Sequence, residues 1–238
     1  MKKKFNVGIV GVGNIANKFH IPSFINNNKI GAIFLCDKNK NNLKKSSRMY
    51  GIKSCFTNLK KMIRNKKIDI LNICSPPSFH FKHMLEGIQN NINIISEKPF
   101  VISIKEFNLI KKKLFNRKIH CYCAYHQRSR PISKKIKDLI KRKKIGDIYF
   151  INIVYRKFRG IPKHSKYFSQ KKYSGGGPLI DIGSHYFDLI GWFLNFPKLK
   201  NLKNYSFNKI SALKKAEKYL PFKKFNNEEL AMGSFQFK

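Results

Sequence analysis

The chain has 238 residues, 42% of them hydrophobic, which suffices for one large domain or two small ones with a real core and excludes wholesale disorder. No apolar run approaches the roughly 20 residues that a membrane-spanning helix needs, so no membrane partner is expected. The formal net charge of +38 invites a nucleic-acid reading, but only 8 of the 50 basic residues are Arg and the lysines are spread along the whole chain. A chain-wide composition bias, of the kind an AT-rich genome gives, explains the charge without a specific nucleic-acid partner. Such a charge still attracts polyanions at low salt.

Phe5–Val10 is a short apolar run that predicts a strand. The Gly-rich turn Gly11-x-Gly13-x-x-Ala16 follows at once and opens a helix to about Asn26. This turn accounts for the short apolar start after the lysines at 2–4, so a signal peptide is not expected. Ile30–Cys36 predicts a second strand, ending at Asp37. Asn39–Tyr50 predicts a basic helix, and Thr57–Asn65 a shorter one with Thr57 as its N-cap. Ile68–Cys74 predicts a third strand, ending in Ser75-Pro76-Pro77. Phe79–Gln89 reads as a helix, Asn93–Ser96 as a fourth strand ending in Glu97-Lys98-Pro99, Ser103–Phe115 as a helix and Ile119–Tyr125 as a fifth strand. Strands alternating with helices predict a parallel, doubly wound sheet, and functional groups in such sheets gather at the carboxyl ends of the strands.

After about Tyr125 the pattern changes. Pro131–Arg142 predicts a basic helix and the alternating Tyr149–Arg156 a strand. Pro162–Tyr173 is irregular. The glycines at 175–177 and Pro178 break the chain before a buried helix over Leu179–Leu194, and Leu230–Phe237 reads as a final strand. The expected division is an α/β domain over 1–125 and a second α/β domain over 126–238. The five cysteines, Cys36, Cys55, Cys74, Cys121 and Cys123, sit mostly in apolar runs, as reduced thiols of a cytoplasmic protein do. Cys121 and Cys123 lack a second ligand pair nearby, so no metal site is expected.

The Gly-rich turn carries the first chemical signal, because a strand precedes it and a helix follows. Gly11 permits the tight turn, Gly13 lets the backbone approach a pyrophosphate, and Ala16 lets the helix pack on the strand. The phosphates are expected on the helix N-terminus, near Asn14 and Ile15, where free N–H groups favour anions. Asp37, 24 residues after Gly13, is placed to accept hydrogen bonds from ribose hydroxyls, which favours NAD over NADP. The adjacent Lys38 keeps NADP as the alternative. Asp181, His185 and Asp188 are spaced four and three apart, which puts them on one helical face. A buried Asp–His pair is either a satisfied anchor or a catalytic pair; spacing alone does not choose.

Five motifs stand here in order: the Gly11–Ala16 turn, Cys74-Ser-Pro-Pro77 with His80, Glu97-Lys98-Pro99, the Arg159–Pro162 segment, and the run from Gly175 to His185. Together they resemble the glucose–fructose oxidoreductase / inositol dehydrogenase family, known as Gfo/Idh/MocA, over nearly the whole chain. The resemblance implies a Rossmann domain followed by an α+β domain with an open, mainly antiparallel sheet. It implies a hydride transfer between NAD, or NADP, and a hydroxyl or keto carbon of a sugar or cyclitol. It makes Lys98 the catalytic lysine, His185 the general acid/base and Asp181 the group that orients the substrate and polarises His185. Ser75, Pro76 and His80 are then expected to line the cofactor, with Glu97 near the ribose and nicotinamide end. A homo-oligomer through the C-terminal sheet is also implied. The chemistry agrees with these residue types: oxidising an alcohol releases a hydride and a proton, and an imidazole suits the proton at neutral pH.

Two departures qualify the resemblance. Family members extend beyond residue 238, so the C-terminal sheet is expected to be incomplete, and the alternative is a catalytically inactive remnant that still binds nucleotide. The run His126-Gln-Arg-Ser-Arg130-Pro131 replaces the family's usual Asn/Arg-aromatic run, which affects substrate contacts expected from that loop.

Overall fold

The computed structural model describes residues 4–156, 167, 170–209 and 225–238, so the Arg159–Pro162 motif lies outside the described residues. The chain divides into two compact units, Met1–Ala124 and Tyr125–Lys238.

In the first unit six strands form one sheet. They are β1 (Phe5–Val10), β2 (Ile30–Cys36), β3 (Cys55–Phe56), β4 (Ile70–Ile73), β5 (Asn93–Ser96) and β6 (Cys121–Cys123). Their order is β3-β2-β1-β4-β5-β6 and every pair is parallel. The helices between them are a π-helical turn over Ala16–His20 continued by α1 (Ile21–Ile25), α2 (Lys40–Tyr50), α3 (Leu59–Asn65), α4 (His80–Gln89) and α5 (Ile104–Leu114). This is the doubly wound order, with its switch point between β1 and β4.

The two-residue β3 is absent from the sequence reading, being too short to show a period. Helix α3 begins one residue later than expected. Asn58, not Thr57, is its N-cap, and its side chain accepts from the Lys61 amide. Asn39 caps α2 in the same way. Ser103 caps α5 by accepting from the Glu106 amide, while Glu106 reaches back to the Ile102 amide.

The core lies on both faces of the sheet. Val7, Ile9, Leu35 and Ala16 pack on one side, and Leu71, Ile73, Met84, Ile88 and Ile94 on the other. Each of these side chains larger than Ala contributes about 1.5–3 kcal/mol of burial. Register matters more for function. Val10 pairs with Cys36 and with Ile73, Ile73 pairs with Ser96, and Ser96 with Cys123. The strands therefore end in one row, and Gly11, Asp37, Cys74 and Glu97 leave the sheet side by side.

The second unit holds a 3-10 turn over His126–Ser129, α6 (Pro131–Lys141), the short α7 (Lys171–Ser174), a π-helical turn over Leu179–Gly183 and α8 (Ser184–Phe193). It also holds an antiparallel pair, β7 (Leu199–Phe207) and β8 (Leu230–Phe237). The strand expected over Tyr149–Arg156 does not form: among the described residues the segment joins no sheet, and Tyr149 is 99% exposed. Alternation supplies a face, but a strand needs a partner edge. Conversely β7 lacks clean alternation and pairs nonetheless. Among the described residues no helix is long and apolar enough to cross a membrane.

Candidate functional site

The row of strand ends in the first unit is held together by its own backbone. The Gly11 amide donates to the Cys36 carbonyl (2.8 Å), the Cys74 amide to Val10 (2.8 Å) and the Glu97 amide to Ile73 (2.8 Å). Gly11 takes φ +88°, and a β-carbon there would lie 2.5 Å from the Ser75 nitrogen and 2.6 Å from its Cα. Only glycine lets the first and fourth strand-end loops meet so closely. Gly13 differs: a β-carbon on it meets no atom within 4 Å. The space above the turn is open to a phosphate, and Asn14 and Ile15 border it as exposed residues. Ala16 is fully buried against the β1 core, as small-residue packing requires.

Asp37 leaves β2 beside this turn. Its carboxylate accepts the Val12 amide at 2.9 Å, the Asn39 amide at 2.8 Å and the Asn42 side-chain amide at 3.4 Å. It thus shapes the Gly-rich turn as well as standing where ribose hydroxyls are expected. A carboxylate offers about four acceptor sites, so capacity remains. Lys38 places its ammonium over the Phe79 ring at 5.8 Å, and Phe79 stacks on His83.

The β4 and β5 loops carry the remaining predicted residues. Ser75 is buried, with Pro76 half-buried beside it. The Ser75 hydroxyl shares a 3.0 Å hydrogen bond with His83 Nδ1. Burial first, then the charges of His80, Lys82 and Lys38, lower the His83 pKa to about 4. Glu97 bonds His20 Nε2 through Oε1 at 2.8 Å and accepts the Lys98 amide through Oε2 at 3.2 Å. Burial pushes the Glu97 carboxyl upward, but the His20 hydrogen bond and charge, with the Lys98 amide and ammonium, outweigh it and hold the group below its ordinary value. Lys98 is half-buried and precedes Pro99 through a cis peptide bond.

His80 departs from its expected place. Its ring is fully buried, with Nδ1 at 2.7 Å from the Pro99 carbonyl and Nε2 at 2.8 Å from the Ser75 carbonyl. Both polar atoms are engaged with backbone, so the ring does not line a ligand surface. The structure brings Gly11, Gly13, Asp37, Ser75 and Glu97 to one edge and sets His80 beneath it. Sequence reasoning missed His20, His83 and Phe79. A weak signal for His20 exists in its spacing, one turn beyond Ala16.

In the second unit Asp181 lies in the π-helical turn and His185 in the first turn of α8. His185 is buried, and the rings of His126 and Tyr125 meet it edge-on at 4.9 Å and 6.3 Å. Asp188 serves another purpose: Arg128 binds it with both Nε, at 2.7 Å, and the terminal nitrogen. The loop that departs from the family pattern thus anchors α8 through Arg128 and sets His126 against His185. Lys137 of α6 donates to the Trp192 and Phe193 carbonyls and so caps the end of α8. The glycines before the helix have a packing reason, since a β-carbon on Gly177 would lie 2.0 Å from the Glu228 carbonyl oxygen.

A family model described as an oxidoreductase family with an NAD-binding Rossmann fold matches residues 5–125. A second, for the GFO/IDH/MocA C-terminal domain, matches residues 133–200. The chain belongs to the GFO/IDH/MocA oxidoreductase family.

Among curated members of that family, D-glucoside 3-dehydrogenase of Escherichia coli (strain K12) is 28% identical over 210 residues, 87% of this chain and 59% of that protein. Glucose-6-phosphate 3-dehydrogenase of Bacillus subtilis (strain 168) is 27% identical over 199 residues, 82% of this chain and 54% of that protein. The WlbA dehydrogenase of Bordetella pertussis, solved with NADH and UDP-GlcNAcA, superposes with a TM-score of 0.84 at 19% identity, covering 100% of this chain and 65% of that one. The chain therefore spans somewhat more than half the length of these GFO/IDH/MocA relatives.

Proposed function

We propose that this chain is an NAD-dependent oxidoreductase acting on a CH–OH group of a sugar or cyclitol. The observation that supports it most is the single edge in the first unit where an open Gly-rich turn, Asp37, Ser75-Pro76 and Glu97-Lys98 emerge together at the switch point of the sheet. Relatives named for sugar and inositol substrates support this substrate class. In this reading the amides at Asn14 and Ile15 hold the pyrophosphate, and Asp37 takes ribose hydroxyls while bracing the turn. The carboxylate favours NAD, with NADP the alternative through Lys38. Ser75 and Pro76 flank the nicotinamide end, with Glu97 beside the ribose.

The cofactor, when bound, supplies a hydride acceptor or donor. The chain's residues do the rest. The Lys98 ammonium stabilises negative charge on the reacting oxygen. His185 accepts or donates the hydroxyl proton, and Asp181 orients the substrate and polarises His185. The rings of Tyr125 and His126 fix the plane of the His185 imidazole.

The test begins with a thermal melt at moderately high salt with NADH, NADPH or inorganic triphosphate. A ligand at about 100 times its dissociation constant adds roughly 2.7 kcal/mol to a folded binder. A rise with NADH and none with triphosphate supports the reading. Equal effects would attribute binding to the net charge and count against it. A sugar and cyclitol screen follows, and Lys98→Ala and His185→Ala are each expected to lower turnover by about 10²–10⁴-fold while NADH still raises the melting midpoint. NADH binding without turnover of any such substrate would favour the inactive remnant.

We also propose a cytoplasmic location, consistent with the absence of any disulfide among the five cysteines. A homo-oligomer through the β7–β8 face is proposed because Tyr205, Phe207, Leu230 and Met232 are exposed on one side of that sheet; a monomeric mass by light scattering would refute it.

A further inference from the structure

His80 is fully buried, yet both of its ring nitrogens face backbone carbonyls, Pro99 at 2.7 Å and Ser75 at 2.8 Å. A carbonyl only accepts. A neutral imidazole has one N–H and one lone pair, so it satisfies one carbonyl and turns a lone pair toward the other. A second ring proton converts that contact into a charge-assisted hydrogen bond. The two carbonyls belong to different loops. Ser75 ends the β4 loop against Gly11, and Pro99 directly follows Glu97 and Lys98.

We infer that His80 is a positioning residue for the nucleotide site: it fixes the β4 and β5 loops against each other, and it does so completely only with a proton on both ring nitrogens. This rests on the nucleotide reading of the first unit. A nucleotide lying across the switch point must meet both loops in one arrangement. Binding then favours the doubly protonated ring, and acidification favours binding.

Several ionisable groups surround the ring. Glu97, at the end of β5, is held ionised by His20 and the Lys98 amide, and its charge favours a proton on His80. The Lys98 ammonium bears on Glu97. Burial acts against protonation of His80 and lowers its pKa from the ordinary value; the Pro99, Ser75 and Phe100 backbone and Glu97 oppose that effect. Cys74, at the end of β4, is pushed well up by burial and by Glu97, so its thiol stays neutral. His83 on the same helix, faced by Lys82 and Lys38, sits at about 4 and is also neutral. The other imidazole of the cluster is His20, bonded to Glu97.

The sign is fixed by which state holds both loops. The ring's pKa is higher with nucleotide bound than without, so the added affinity is complete below the pKa of the free protein. It is lost as pH rises through that of the complex. The NADH dissociation constant of the full chain is measured from pH 6 to 8 at constant ionic strength. The wild type is expected to bind about tenfold more tightly at pH 6 than at pH 8. His80→Phe, which keeps a ring and removes both donors, is expected to bind more weakly and without that slope, whereas His20→Gln keeps it.

A ring that merely fills space would lower the melting midpoint on substitution and leave the slope intact. A wild-type affinity independent of pH, a slope that survives in His80→Phe, or one that vanishes in His20→Gln would each overturn the inference. Nitrogen-15 spectra of the wild type give a second readout if His80→Phe does not fold. Both His80 ring nitrogens carry protons in the NADH complex at pH 6, and one bare nitrogen there refutes the clamp. A wild type that binds no NADH at any pH refutes the nucleotide reading itself, and this inference falls with it.

Discussion

The two glycines of the turn separate folding from binding, and substituting each by alanine tests the separation. At Gly11 the new methyl would lie 2.5–2.7 Å from three backbone atoms of Cys74 and Ser75, and the residue must keep φ +88°. A positive φ costs a non-glycine residue about 1–2 kcal/mol, and overpacking against backbone adds about 1–3 kcal/mol. A loss of about 2–5 kcal/mol is expected. The first unit has about 120 residues, so its unfolding entropy is about 0.25 kcal/mol/K and the midpoint falls by about 8–20 °C. At Gly13 the methyl meets nothing within 4 Å, and φ lies outside the left-handed range. Gly13→Ala therefore leaves stability within about 0.5 kcal/mol, or raises it slightly by restricting the unfolded chain. The same methyl occupies the space into which a pyrophosphate must come, so NADH affinity falls by at least about tenfold, roughly 1.4 kcal/mol. Urea unfolding and NADH titration of both variants decide it. A stable Gly13→Ala that binds NADH as the wild type does would refute the assignment of that open space to phosphate.

Arg128→Ala strands the Asp188 carboxylate, whose side chain is 6% exposed beside an Arg that is 36% exposed, and is expected to cost about 1–3 kcal/mol by denaturant unfolding; Arg128→Lys recovers little because the fork is bidentate. Asp37→Ala removes the acceptor of the Val12 and Asn39 amides, so titrations should show weaker NADH binding and an NADPH-to-NADH affinity ratio shifted toward NADPH. Glu97 is held below its ordinary value of 4.5, so its contribution to stability is present above that pH and fades as pH falls through the lower value; Glu97→Gln should flatten this acid limb of the wild-type unfolding profile. Cys36 and Cys121 are pushed up to about 12 by burial, so iodoacetamide at pH 8 should leave both unmodified in the folded chain and label them after denaturation.

What could be read from the sequence was what repeats or punctuates. The strand–helix alternation gave the parallel sheet because each apolar run is bounded by a turn signal, as with Ile30–Cys36 before Asp37. Boundaries failed where two cap residues compete: Thr57 and Asn58 both suit an N-cap, and only backbone direction selects Asn58. The π-helical turns at Ala16–His20 and Leu179–Gly183 were invisible, since one extra residue in a turn leaves no periodic trace over five residues. The spacing of Asp181, His185 and Asp188 likewise could not show that Asp188 is claimed by Arg128, a partner 60 residues away. Tyr149–Arg156 had the right alternation but joins neither sheet among the described residues. Burial of His80 could not be read either, because a histidine near a strand end suits a ligand surface as well as a backbone clamp.

The site residues of the first unit are dispersed over nearly ninety positions, from Gly11 to Lys98, yet several are tied to a neighbour that belongs to another loop. Gly11 admits Ser75; Asp37 holds the Val12 amide; Glu97 holds His20; His80 holds Ser75 and Pro99. Loops that only carried ligand groups could vary independently, because each would contact solvent and nucleotide alone. Here four strand ends share polar partners, and most of those partners are backbone atoms that no side-chain change removes. The cost of a substitution should then spread: loosening Asp37 frees the turn that Gly11 must hold against Ser75, and Ser75 in turn carries one end of the His80 clamp. Double substitutions such as Asp37→Ala with His80→Phe are therefore expected to be non-additive in NADH affinity by more than about 0.5 kcal/mol, whereas either one combined with Arg128→Ala, whose ion pair lies wholly in the second unit, should add within that margin. Additivity in the first pair would mean that the loops act singly and that their common edge is only an outcome of strand register.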